Sequence, residues 1–237
     1  MKIFFTKGLV LLGFVFCLLP VLAAPDNKVV FVAGIDFVDD DNYLHIFGAV
    51  ENKTGDWICN VIVDLKILDA SGNDLGAVST TGERMQGATT ENYVIAPNEK
   101  GYFHFIRDLS KAKGKYKSYQ VLNIRYMKGP SNLGSKLENV KIEKDNLGFM
   151  VNGVYRNTGK AIIKWPVVII VGFDSAGRIN LVASSGLGDI DNAEAEEVKY
   201  LNPGQTASFN TYFLPYVPLK NVVKYIIVPG FQQADGE

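Results

Sequence analysis

The side chains best suited to chemistry are few and scattered. Histidine occurs only at His45 and His104. Leu44 and Ile46 flank the first and Phe103 and Phe105 the second, so each imidazole belongs to a strand and faces away from that strand's apolar side. In an immunoglobulin-like order the two strands can be neighbours, which would put both rings on one outer face. Two imidazoles make part of a metal site, but spacing supplies no third ligand. A solvated outer face accounts for both, and no metal is expected there.

The densest acidic run is Asp39-Asp40-Asp41-Asn42, with Asp36 just before it. Oxygen ligands at alternating positions around a tight turn are what calcium requires. A plain Asp/Asn hairpin turn between two strands requires the same residue types. Lys144-Asp145-Asn146 is a thinner version of the run. No serine sits in a Gly-x-Ser-x-Gly elbow, and no Ser/His/Asp or Cys/His set has a reason to converge. Gly186-Leu187-Gly188 falls in a loop and not between a strand and a helix, so it does not read as a phosphate cradle. No catalytic, cofactor-binding or metal residue is assigned. The expectation is a protein that is not an enzyme, with a hydrolase the least favoured class.

The elements that would position these groups follow an export signal. Lys2 and Lys7 precede an apolar run from Leu9 to Leu19, then Pro20 and the small residues Ala23 and Ala24. That is the layout of a signal peptide cleaved after Ala23, giving 1–23 as signal. Cleavage one residue later would leave Pro25 first, where the fixed φ and missing N–H hinder the peptidase. A retained anchor would need roughly 20 apolar residues without an internal proline. The expected location is periplasmic or extracellular, with no transmembrane segment in the mature chain. The 237 residues carry 24 Lys+Arg against 25 Asp+Glu, a net charge of −1, which lacks the basic footprint of a nucleic-acid binder. Cys59 is the only cysteine after cleavage, so no intrachain disulfide is possible. It reads as a small buried hydrophobe near a strand start.

Beyond the signal the chain repeats itself. Leu44 to Asn52 aligns with Phe149 to Asn157, sharing the Gly48/Gly153 and Asn52/Asn157 landmarks, and Thr54-Gly55 aligns with Thr158-Gly159. Leu65 to Gly72 aligns with Ile170 to Gly177, and Pro97 and Phe103 with Pro203 and Phe209. Period-2 alternation at Leu44, Ile46, Gly48 and Val50, and at Val61, Val63, Leu65 and Ile67, predicts strands with one buried face. Asp69-Ala70-Ser71-Gly72 and Pro97 to Gly101 predict turns. Helical periodicity shows only weakly, over Asp191–Val198. The pattern predicts an all-β chain of two tandem immunoglobulin-like antiparallel β-sandwiches, 28–129 and 137–232, each about 100 residues, joined by a linker at 130–136.

Gly-x-Val-x-Asn-x-Thr-Gly, a strand ending in an Asp turn, and a Pro turn before a Phe strand together resemble the FxLYD domain of exported prokaryotic proteins. The naming motif stands as Leu65-Lys66-Ile67-Leu68-Asp69 and Ile170-Val171-Gly172-Phe173-Asp174, with an aliphatic residue leading and Leu or Phe in place of Tyr. The resemblance implies an immunoglobulin-like sandwich in a bacterial or archaeal envelope and brings no catalytic residues.

The two copies differ at one place. Outward Asn60, Asp64 and Lys66 of the first become Trp165, Ile169 and Val171 in the second. A strand apolar on both faces must be covered by the loop Ser175–Asn202, by the first domain, or by a partner. Trp165, Ile169 and Val171 are therefore the candidate interaction surface. Tyr212-Phe213-Leu214-Pro215-Tyr216-Val217-Pro218 reads either as a binding edge or as a segment closing the core. The expected function is a non-catalytic envelope module that binds or scaffolds another envelope or extracellular protein. The alternative is a small-ligand or calcium-binding module that uses the Asp36–Asn42 turn or the interdomain cleft.

Overall fold

The structure is a computed structural model that describes residues 28–75, 87–89, 94–191 and 197–234. The expected signal at 1–23, and most of the weakly helical stretch at 191–198, lie outside the described residues.

The fold is all-β and antiparallel. Strands β1 (Val29–Val38), β2 (Tyr43–Asn52) and β6 (Lys100–Asp108) form one sheet in the order β1-β2-β6. Strand β3 (Ile58–Asp69) centres a second sheet. It pairs with β7 (Tyr116–Lys128) along one side and with the short β4 (Gly87–Thr89) and β5 (Val94–Ile95) along the other. The C-terminal half repeats this plan. β8 (Ser135–Lys144), β9 (Phe149–Asn157) and β13 (Thr206–Phe213) form a third sheet around β9. β10 (Ile163–Phe173) lies between β14 (Lys224–Ala234) on one side and β11 (Ile179–Gly186) with β12 (Tyr200–Leu201) on the other. No described helix is long and apolar enough to cross a membrane.

The alternating side chains supply the inner faces their period predicts, although β2 is buried on its other face as well. Leu44, Ile46 and Val50 from β2 and Val61, Val63, Leu65 and Ile67 from β3 close one core. Phe149, Val151 and Tyr155 from β9 and Val168 and Ile170 from β10 close another. Turn chemistry repeats as well. Asp69 Oδ1 accepts the N–H groups of Ser71 and Asn73 at 2.8 and 2.9 Å, and Asp174 Oδ1 those of Ala176 and Arg178, both at 2.9 Å. Gly72 and Gly177 follow with φ of 81° and 77°. The central strands even share a kink, with Asn60 at φ 49° and Trp165 at φ 50°.

Gly48 and Gly153 sit mid-strand because an aromatic ring takes their side-chain space. A Cβ on Gly48 would lie 2.5 Å from Phe103 Cζ, and one on Gly153 would lie 3.0 Å from Phe209 Cζ. The segment expected as a linker is pinned. Gly134 O accepts the N–H of Thr158 and of Gly159, Leu133 is buried, and β8 already begins at Ser135.

Candidate functional site

The surface expected from Trp165, Ile169 and Val171 is corrected by the packing. Ile169 and Val171 are fully buried in an apolar cluster with Val167, Ile179 and Val182 of the C-terminal half and Phe47, Ala49 and Tyr102 of the N-terminal half. The outer face of the first sheet covers β10, with Ile179 and Val182 from the Ser175–Asn202 segment in the same cluster, so this face is not a free surface awaiting a partner. The approach is close: a Cβ on Gly34 would stand 2.5 Å from the carbonyl oxygens of Ile179 and Phe47. Trp165 leaves that face altogether. Its positive φ turns it out of the alternation, and its half-buried ring stands 6.5 Å from that of Tyr200 and 5.9 Å from Lys199 Nζ.

At one end of this contact the structure gathers the two histidines. His45 in β2 lies opposite Ile106, and His104 in β6 lies opposite Phe47, so the two strands are adjacent and the rings diagonal. The expected solvated face is not found. His45 is 2% exposed. Its ring stacks on Phe37 at 4.8 Å, and His104 stacks on Phe47 at 4.1 Å. Tyr216 of the C-terminal half packs on both rings, at 5.1 and 4.7 Å. The aromatic, proline-containing segment thus does two jobs, since Phe213 and Val217 are buried in the C-terminal core.

The acidic turn supplies the third member. Asp39 Oδ1 accepts the N–H of Tyr43 at 2.7 Å, which closes the β1–β2 hairpin, and Asn42 takes φ 66°. Asp39 Oδ2 then lies 3.0 Å from His45 Nε2, and His45 Nδ1 lies 2.9 Å from His104 Nε2. With Asp39 ionised, His45 Nε2–H donates to the carboxylate. His45 Nδ1 then presents a lone pair, and His104 Nε2–H donates to it. The hydrogen bond from His45, followed by that from the Tyr43 N–H, holds the Asp39 carboxyl below the usual range. Burial, and secondly His45, push His104 down to about 3. Among the described residues, no group of three or more His, Cys, Asp or Glu side chains is arranged to hold a metal ion. Asp36 is drawn elsewhere, accepting the Tyr116 hydroxyl at 2.6 Å.

One pair of structural side chains escapes a sequence reading. Asn52 and Asn157 are both fully buried. Asn52 Nδ2 donates to Asp56 O and Ile95 O, while its Oδ1 accepts from Thr54 N and Thr54 Oγ1. Asn157 Nδ2 donates to Ala161 O and Leu201 O, and its Oδ1 accepts from Gly159 N. Each clamps the end of one sheet to the start of the other. The signal was Asn52-Lys53-Thr54-Gly55 matched by the one-residue-shorter Asn157-Thr158-Gly159, read only as a polar turn. Cys59 is buried, as its type suggested, yet it packs with the C-terminal cluster.

No family model matches the chain, and no curated protein matches it. Among solved structures, red sea bream transglutaminase is similar at 7% sequence identity with a TM-score of 0.25, over 86% of this chain and 31% of that one. The chain thus spans under a third of that protein's length, and a likeness of this size carries no argument about fold or activity.

Proposed function

We propose that the chain is an exported, non-catalytic protein of a prokaryotic envelope, made of two tandem immunoglobulin-like sandwiches of the FxLYD kind, which binds or scaffolds another envelope protein. The repeated pairing plan of the two halves supports the tandem part, and the layout of residues 1–23 supports export. With the β10 face used internally, the partner surface moves to β7.

The observation that carries this is the open edge of β7. This 13-residue strand pairs with β3 alone among the described residues. It leaves Leu122, Tyr126 and Met127 exposed at 54%, 42% and 57%. An open edge with apolar side chains is what strand addition by a second protein uses. The Asp64–Arg125 pair beside it, with two bonds of 2.8 Å, keeps that outer face from being uniformly apolar.

The test is in-cell photocrosslinking from position 122, with position 147 as a control, since Leu147 is also exposed but lies in the β8–β9 turn. A discrete envelope-protein adduct from position 122 alone supports the proposal, together with a mature N-terminus at Ala24. Equal labelling from both positions, or a mature chain found in the cytoplasm, contradicts it.

A further inference from the structure

A cleft of about 470 Å³ opens where the two halves meet, and neither histidine nor any β7 residue lines it. Small-molecule sites fall at roughly 300–1,000 Å³ and concentrate at such boundaries. The N-terminal half contributes Trp57, Tyr102 and the turn Asn98-Glu99-Lys100. The C-terminal half contributes Ser135, Thr158 and the β14 residues Val228 to Phe231. We propose that this cleft is a binding site for a neutral saccharide of one to three rings.

The chemistry of the lining sets the ligand class. Trp57 is half-buried and packed against the C-terminal core, so its ring is held before any ligand arrives. A fixed indole offers an apolar face to the C–H face of a sugar ring with little entropy to lose. Around it stand amide, hydroxyl, carboxylate and ammonium groups suited to ring hydroxyls. Glu99 and Lys100 are neighbours of opposite charge, so the rim favours no net-charged ligand.

Both polar walls are fixed by the backbone. Asn98 sits at φ 64°, its N–H donating to Asn52 O at 2.7 Å, and Glu99 O accepts the Asn52 N–H at 2.9 Å. Opposite, Thr158 N–H donates to Gly134 O at 2.9 Å. The β14 wall suits a peptide less well. Pro229 has no N–H to offer, and Gly230 O already accepts the buried Tyr155 hydroxyl at 2.7 Å.

The chain has two tryptophans, and only Trp57 lines the cleft. Trp165→Phe therefore makes Trp57 the sole reporter in the full mature chain. The probes are maltotriose, cellotriose, tri-N-acetylchitotriose and trialanine. The expected result is saturable quenching or a spectral shift with at least one trisaccharide, half-saturating between about 10 µM and 1 mM. Adding Asn98→Gly, which keeps the left-handed turn, should weaken it about tenfold with an unchanged melting temperature. If that variant does not fold, Thr158→Val reads the same loss from the opposite wall. No saturation by any trisaccharide at about 10 mM, a response to trialanine alone, or undiminished binding by a folded variant would overturn the proposal.

Discussion

His45 Nδ1 and His104 Nε2 face each other at 2.9 Å, with the ring of Tyr216 packed on both. A hydrogen-bonded histidine pair of the first half is thereby roofed by a second-half aromatic, and the consequence is a pH dependence with a defined sign. His104 is held at about 3, against an ordinary 6.5. Between those values the unfolded chain binds a proton that the fold refuses, so stability rises with pH. It is full above 6.5 and falls on acidification towards about 3. Asp39 adds a loss of the same sign only below its ordinary 3.8. Urea unfolding at pH values from about 4 to 7 should show that rise, and His104→Gln should flatten it. A flat wild-type profile would rule out the buried neutral imidazole.

The asparagine clamps should matter more than their turn-like sequence suggests. Asn52→Ala leaves the carbonyls of Asp56 and Ile95 without the amide that serves them, and Asn157→Ala does the same to Ala161 and Leu201. Each should cost about 2–4 kcal/mol in chemical denaturation. Losses within about 0.5 kcal/mol would mean that water replaces the amide.

The two strand glycines should rank in a stated order. Gly48→Ala brings a methyl to 2.5 Å from Phe103 Cζ, and Gly153→Ala brings one to 3.0 Å from Phe209 Cζ. The first should destabilise by about 1–3 kcal/mol and the second by less. Phe103→Leu should recover part of the Gly48→Ala loss in a double-mutant cycle. The reverse order, or strict additivity, would refute the ring-over-glycine account.

Local features were legible because local chemistry decides them. Alternation at Leu44, Ile46 and Val50 gave β2 its inner face, and Asp69 and Asp174 announced their turns through side chains that cap their own backbone. The strand neighbours of His45 and His104 could be guessed from sandwich order. Their burial could not, because Phe37 and Tyr216 reach them from distant parts of the chain. Ile169 and Val171 showed that something covers β10, but hydrophobicity alone does not name the covering layer. The matching signal lay in Phe47, Ala49 and Tyr102, outward positions of the first half that are also apolar. Pairing the two faces would have pointed to the contact.

That contact is the centre of the molecule, and Val171 tests it most directly. Thermal unfolding of a chain of residues 24–237 should show one cooperative transition, because the Phe47–Ile169–Val171 cluster couples the halves. Val171→Asp, which buries an unpaired carboxylate between the sheets, should split that transition in two or lower it by several degrees. Val171→Ala should lower it less, with the single transition retained. A Val171→Asp chain that melts at the wild-type temperature in one transition would show that this face is open to solvent, and that the halves are not joined there.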